Sequence, residues 1–488
     1  MDQSDAAPLY LKLADKIESL IRAATFPAGG RIPSVRHMSR QQGVSIPTVL
    51  QAYLILQDRH LIEARPKSGF FVRTRIAEAF PVDLYQKRRL QSKSLSKFPP
   101  LMSLVHDVVD PRFIPLGGAH PSAQLLPARK LSSLMAAIAR LHPHATVTCD
   151  PAPGCARLRA ELSRRSLDWG CQLTPVDFLI TNGATEALFL ALCATTRQGD
   201  TVMVESPTHY GILNALSQLR LKAVAIPSSA PDSMDQDAAA KVIAREKVAA
   251  IVLVPNFNNP LGRIMSEACR LKLVAMASKK DIPIIEDDVY GDLYFAGQRP
   301  PCLKSLDTNG SILLCSSFSK TLAPGYRVGY LAAGRYQDQI IPLKTALNYA
   351  GNPLPARTVA EFLRTGGYEH HLATLRRTFR DQVQHLRQAL IAVLPQEVRI
   401  TQPQGGFVLW LQLPAAVDAM ALFHEARRHN LSIAPGHLFS PSAEYKNYLR
   451  LSCTHPWNDR TAEGIQLLGR LVAGKITPNP GQVTPDPG

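Results

Sequence analysis

The chain has no cysteine pair in CxxC spacing, no apolar run near the length of a membrane span, and no internal repeat. The first absence removes the common zinc and dithiol motifs. It leaves eight cysteines (Cys149, Cys155, Cys171, Cys193, Cys269, Cys302, Cys315, Cys453), mostly in apolar surroundings. They are expected to be reduced core thiols of a cytoplasmic protein. A helical span needs roughly 20 consecutive apolar residues, so no membrane segment is expected. The polar start, MDQSDAAP, has neither the basic nor the apolar region of a secretory signal. No P-loop, HExxH or serine-hydrolase elbow occurs. His142 and His144, and the pair His370 and His371, lack the carboxylate or thiol partners of a metal site, so surface positions are expected for them.

Acidic residues are also in deficit: 39 Asp and Glu against 55 Lys and Arg give a net charge of +16 over 488 residues. The imbalance is uneven, because residues 1–97 hold 16 basic and 8 acidic side chains, half the excess in a fifth of the length. A basic end of this kind suits a polyanion. The length itself exceeds one compact core, and a 45% hydrophobic content is that of a globular protein.

What is present begins with a block from Leu9 to Arg75. Leu9, Leu13, Ile17, Leu20 and Ile21 form a helical stripe. After the turn FPAGGRIPS, a short helix closes at Gly43. A second starts at Ser45, a plausible N-cap, with Pro47 in its first turn. Two helices joined by a tight turn make a helix-turn-helix, and LIEARPKSGFFVRTR alternates as a β-hairpin wing. Ser45 and Thr48 are placed at the N-terminus of the recognition helix and Gln51 one turn on. Arg31, Ser34 and Arg36 flank the motif, and Lys67 tips the wing. These are candidates for phosphate and base contacts on duplex DNA.

Residues 77–110, polar and basic and containing Pro99-Pro100, are expected to tether two domains. From 111 to 475 the texture changes. Short apolar runs alternate with helical stretches of 10–15 residues, which predicts an α/β domain with a mainly parallel sheet. Its large part is expected to reach about residue 343, with a smaller α+β lobe after it. The Pro/Gly-rich end, 476–488, is expected to be disordered.

Several predicted strands of this domain end in polar residues. Gly183, Ala184 and Thr185 form a turn into a helix, whose backbone N–H groups can hold a phosphate. Asn259 offers an amide, Asp287 a carboxylate and Tyr290 a phenol. Ser317 and Ser319 precede Lys320, an amine able to form a Schiff base. The ordered set Gly183-Ala184-Thr185, Asn259-Pro260, Asp287-x-x-Tyr290, Ser317-x-Ser319-Lys320, Arg327 and Arg450 resembles the fold-type I aminotransferases, a pyridoxal-phosphate family. The resemblance implies that Lys320 carries the cofactor as a Schiff base and Asp287 holds its ring nitrogen. It implies that Asn259 and Tyr290 bind the ring oxygen, and that Ser317, Ser319 and Arg327 join the Gly183 turn on the phosphate. Arg450 would clamp a substrate α-carboxylate. Two positions depart from the pattern. Cys149 replaces a tyrosine that reaches a neighbouring subunit, and His209 replaces the aromatic that stacks on the cofactor and brings a group that titrates near neutrality.

The N-terminal block resembles the GntR-type winged helix through Arg31-Ile32-Pro33-Ser34-Val35-Arg36, Gly43 through Leu56, and Lys67 through Val72. Ile46 stands where that family often has arginine. A winged helix, a linker and an aminotransferase-like domain in this order resemble the MocR group of bacterial regulators. That resemblance implies a homodimeric, pyridoxal-phosphate-dependent transcriptional regulator that senses the cofactor or an amino compound. The alternative is a working aminotransferase with a DNA-binding head.

Overall fold

The computed structural model describes residues 8–22, 25–27, 29–59, 61–65, 68–73, 91–95, 99–229, 233–442 and 444–476. Lys67, half of the expected tether (77–90 and 96–98) and the tail from 477 lie outside the described residues. The chain divides into two compact units, Met1–Glu78 and Ala79–Gly488.

In the first unit the helices Leu9–Arg22, Val35–Gln42 and Ile46–Asp58 precede an antiparallel pair, Ile62–Arg65 with Gly69–Val72. The helix starts are capped as their residues dictate. Ser34 Oγ accepts from His37 N and Ser45 Oγ from Thr48 N, each at 3.3 Å. Gly43 ends the second helix with φ 64°, left-handed backbone that a side chain would strain. Leu13, Ile17, Ile21, Met38, Val49, Tyr53 and Leu56 close one apolar core with Ile32 and Val72. Leu9 is the exception to the predicted stripe and stays exposed. Tyr53 is fully buried, and its hydroxyl donates to the Pro33 carbonyl at 2.6 Å, which ties the recognition helix to the turn before the second helix.

The second unit is built on a nine-stranded sheet. Its main path runs Lys93–Ser94, Lys222–Ser229, Thr201–Ser206, Val248–Leu253, Ile284–Asp287, Ile312–Ser317, Gly329–Ala332, Phe178–Thr181. The five strands from Lys222–Ser229 to Ile312–Ser317 are parallel, and Gly329–Ala332 runs antiparallel to both its neighbours. Strands buried on both faces explain the continuous apolar runs in the sequence. A four-stranded antiparallel sheet carries the smaller lobe, in the order Arg399–Ile400, Val408–Gln412, Tyr448–Ser452, Ala434–Pro435. The 27-residue helix Gly367–Val393 contributes to the cores under both sheets, with Leu375 and Phe379 in one and Leu386 and Leu390 in the other.

Two expectations need correction. The stretch expected to tether the domains contributes to the second unit itself. Lys93–Ser94 pairs with Lys222–Ala223 at the sheet edge. The helix Pro99–Val109 inserts Leu101 and Leu104 among Trp410, Leu438 and Phe439. Asp107 of that helix accepts from Arg427 Nε and Nη2 at 2.9 Å. The basic, polar stretch before it drew attention away from a helix that is itself largely apolar, with Met102, Val105 and Val109 left exposed. The smaller lobe is also discontinuous, because Ile114–Pro115 pairs in parallel with Leu431–Ser432.

Among the cysteines, all eight are free, but Cys149 is exposed and Cys193 half-buried. His142, His144 and His370 are exposed as expected. His371 is instead half-buried, and its Nε2 lies 2.7 Å from the Thr321 carbonyl, next in sequence to Lys320.

Candidate functional site

Most residues singled out in the second unit sit at or near a strand end, and Arg450 is the exception. Asp287 closes Ile284–Asp287, Ser317 closes Ile312–Ser317, and Gly183 follows Phe178–Thr181. His209 follows Thr201–Ser206, and Asn259 follows Val248–Leu253. Open parallel sheets bind ligands at such carboxyl ends because the loops leaving them converge in one crevice.

At one end of the crevice, Gly183 caps the helix Ala184–Thr195 with φ 83°. A Cβ there would run into the Arg327 guanidinium. Arg327 itself holds left-handed backbone, φ 51°, and reaches Ser319 Oγ at 3.2 Å and the Asn182 carbonyl at 3.1 Å. The Ser319 amide in turn donates to Ser317 Oγ at 3.3 Å. A single guanidinium on strained backbone, set with two serine hydroxyls beside a helix N-terminus, is an arrangement suited to an anion. Glu186, in the first turn of that helix, does not cancel it, because Lys344 Nζ pairs with its carboxylate at 2.8 Å.

Further in, Asp287 Oδ1 is buried with no hydrogen-bond partner, and Asn259 Oδ1 is likewise orphaned. Burial and the neighbouring Asp288 charge push the Asp287 carboxyl up to about 7, against the pull of the Val289 amide and Lys320. Asn259 Nδ2 donates to the Tyr290 hydroxyl at 3.3 Å, and burial raises the Tyr290 pKa. Lys320 is half-buried, and its Nζ donates to the Ala119 carbonyl at 2.7 Å. Burial, then the Arg450 charge, push its amine down to about 8, with Asp287 opposing.

Arg450 is 0% exposed on the strand Tyr448–Ser452, opposite Trp410 and Ala434. Its Nη2 donates to the Gly117 carbonyl, while Nε and Nη1 have no partner. A buried guanidinium with open donors is costly unless a planar anion completes it.

His209 departs from expectation. Burial, Lys320 and Arg450 push its imidazole down to about 3, so it stays neutral across the physiological range instead of titrating there. It lies against Tyr210 with ring centroids 4.4 Å apart. Sequence reasoning missed the segment 117–120. Gly117 and Ala119 hold the two cations by their carbonyls, and His120 feels Lys320, Arg450 and Arg327, which lower its pKa. Backbone carbonyls leave no trace in a motif.

On the first unit, Arg31, Ser34, Arg36, Ser45 and Gln51 are exposed and Thr48 is half-buried. Ser45 and Thr48 hydroxyls bond each other at 2.8 Å, in addition to the Ser45 cap.

Comparison with known proteins agrees with both units. The family profile for aminotransferase class I and II matches residues 130–465, and that for bacterial regulatory proteins of the gntR family matches 9–72. YjiR of Escherichia coli K12, an uncharacterised HTH-type transcriptional regulator, is 34% identical over 95% of this chain and 98% of its own length. The chain belongs to the MocR-type regulators. A 2-aminoadipate transaminase of Thermus thermophilus is 30% identical over 75% of this chain and 91% of its own. The crystal structure of LysN, the alpha-aminoadipate aminotransferase of Thermus thermophilus, in complex with N-(5'-phosphopyridoxyl)-L-leucine, superposes with a TM-score of 0.71 at 29% identity. The match covers 76% of this chain and 95% of that one. This MocR-type chain therefore joins a GntR winged helix to a fold-type I aminotransferase-like domain. Among its described residues no helix is long and apolar enough to cross a membrane.

Proposed function

We propose that this protein is a cytoplasmic transcriptional regulator that binds operator DNA through its first unit. Its second unit would hold pyridoxal 5′-phosphate and sense a ligand bearing both a primary amine and a carboxylate. The observation that carries the reading is the pair of cations Lys320 and Arg450, each held by a backbone carbonyl of one segment, Ala119 and Gly117. A ligand amine competes for the partner of Lys320, and a ligand carboxylate offers Arg450 a better acceptor than a neutral carbonyl.

The residues fit the cofactor. The orphaned Asp287 Oδ1 suits a protonated ring nitrogen, and the pair Asn259 and Tyr290 suits a ring oxygen. Arg327, Ser317, Ser319 and the Gly183–Thr185 turn suit a phosphate, and His209 offers a neutral ring. The bound group would supply an aldehyde that condenses with amines. Asp287 would keep the ring nitrogen protonated, and the lowered Lys320 amine is the nucleophile that anchors the group.

The signal has a physical route within the second unit. Leu101 and Leu104 of the helix Pro99–Val109 share a cluster with Trp410 and Phe439, and the Arg450 guanidinium lies 5.7 Å from the Phe439 ring. A ligand that draws Arg450 away from Gly117 acts on the helix that follows the segment leading from the DNA-binding unit. A homodimer fits the exposed Val147, Leu347 and Tyr349, which adjoin the paired strands Asp150–Pro151 and Ala350–Gly351. The cleft lined by Arg327 and Asn182 reaches the same strands.

The test is a gel shift on a promoter fragment with candidate amino acids. Wild type should respond, and Lys320→Ala should lose both the response and visible absorbance. In Arg450→Lys the dose curve should move by roughly one to three decades, since the charge remains but the fork does not. A full response in Lys320→Ala would sink the reading. The second reading, a working aminotransferase, is favoured by the lowered Lys320 amine. Catalytic release of a keto acid from amino acids would sustain it.

A further inference from the structure

The recognition helix is chemically unusual for a surface that meets a polyanion. From Ile46 to Gln57 it carries no Lys or Arg. Its exposed face is apolar, with Ile46 at 49%, Leu50 at 45% and Leu54 at 45% exposure, one turn apart along a single stripe. Pro47 and Gln51 are exposed beside them. None of these side chains is needed for the core, which Val49, Ala52, Tyr53 and Leu56 complete on the opposite side. Apolar side chains left in water at successive turns mark a contact surface.

The surrounding charge says which partner. Residues 27–57 contain no Asp or Glu, whereas Arg31, Arg36 and Arg40 are all present and exposed. Ser34 and Ser45 cap two helix N-termini within the same motif. Exposed arginines and capped helix N-termini in the same motif as an apolar strip suit phosphates flanking a groove; they do not suit an apolar protein surface. Within the major groove, the base feature that matches an aliphatic side chain is the thymine 5-methyl group, and glutamine pairs with adenine through N6 and N7.

Resting on the reading that the first unit binds DNA, we infer that this helix selects A·T pairs. Ile46 and Leu50 contact thymine methyl groups, and Gln51 contacts adenine. Guanine recognition by arginine is absent from the helix because no arginine is there. The arginines outside the helix supply affinity without sequence choice.

The experiment uses the full-length protein and a random-sequence duplex pool, followed by binding to the enriched duplex with thymine replaced by uracil. A·T pairs should be enriched at the centre of each half-site. Removing each contacted methyl should weaken binding about fourfold, the value of burying one such carbon. Leu50→Ala, at an exposed position, should lose the thymine-over-uracil difference at its own base pair only. The double variant Ile46→Ala with Leu50→Ala should bind thymine and uracil duplexes alike, and Gln51→Ala should lose the preference for adenine. A consensus with G·C pairs at those positions would overturn the inference while leaving DNA binding intact. So would an unreduced thymine preference in the double variant Ile46→Ala with Leu50→Ala, or tight but unselective binding. Failure to bind any duplex would overturn the DNA-binding reading together with it.

Discussion

In the first unit Arg31, Arg36 and Gln51 stand in water on a scaffold that is complete without them. In the second, Arg450, Asp287 and Asn259 are enclosed, with polar atoms that no described protein group satisfies. An exposed arginine gives up little while it waits for a partner. A buried guanidinium or carboxylate has lost its water, at a cost of several kcal/mol unless something replaces it. The first site is therefore a surface chemistry laid over an independent core. The second is preorganised at the expense of its own stability, and a ligand with matching charges would relieve it. The ligands proposed for them differ accordingly: a polyanion for the first, and for the second a phosphate-bearing cofactor together with a small amino compound that carries a carboxylate.

The glycines that end or begin a helix in each unit give the sharpest contrast. Both have left-handed backbone, φ 83° at Gly183 and φ 64° at Gly43. At Gly183 an added methyl group also strikes the Arg327 guanidinium, whereas at Gly43 nothing lies within 4 Å. Gly183→Ala should therefore displace a phosphate-facing cation and lower pyridoxal-phosphate affinity by about 10- to 100-fold, the value of a charge-assisted hydrogen bond or two. Titration of the visible band with added cofactor measures it.

Asp287→Asn tests whether the second site is strained. The folded-state pKa of Asp287 is raised from 3.8 to about 7. As pH rises through that window the unfolded chain releases this proton first, so the folded state loses stability relative to it. The full penalty is present above the window. Asp287→Asn removes it, so the cofactor-free variant should be more stable than wild type by up to a few kcal/mol at mildly alkaline pH. The gain should shrink as pH falls toward about 4, the unfolded-state value, and cofactor binding should weaken in the same variant. Thermal unfolding across pH measures the first effect; a pH-independent difference would remove Asp287 as its source.

Gly43→Ala should have the smallest effect, about 1 kcal/mol of stability in the first unit from backbone strain alone. Thermal melts should register the loss, and DNA affinity per folded molecule should not change. An equal effect of the two glycine substitutions on their own ligands would erase the contrast between the units.

The order of the two units, the capped helices of the first, and the strand-end positions of Gly183, Asn259, Asp287 and Lys320 were legible in the chain alone. These features are local. Period, caps and turn residues act within a few positions of the chain, and a strand end is marked where an apolar run stops. Nothing local reveals that Pro99–Val109 and Lys93–Ser94 join the second unit, since their partners, Trp410, Phe439 and Ala223, are distant in the sequence. Nor does anything local keep His209 neutral, because its pKa depends on burial and on Lys320 and Arg450, which only folding brings near. Which carbonyls hold Lys320 and Arg450 is settled the same way: every residue has a carbonyl, and only packing chooses Ala119 and Gly117.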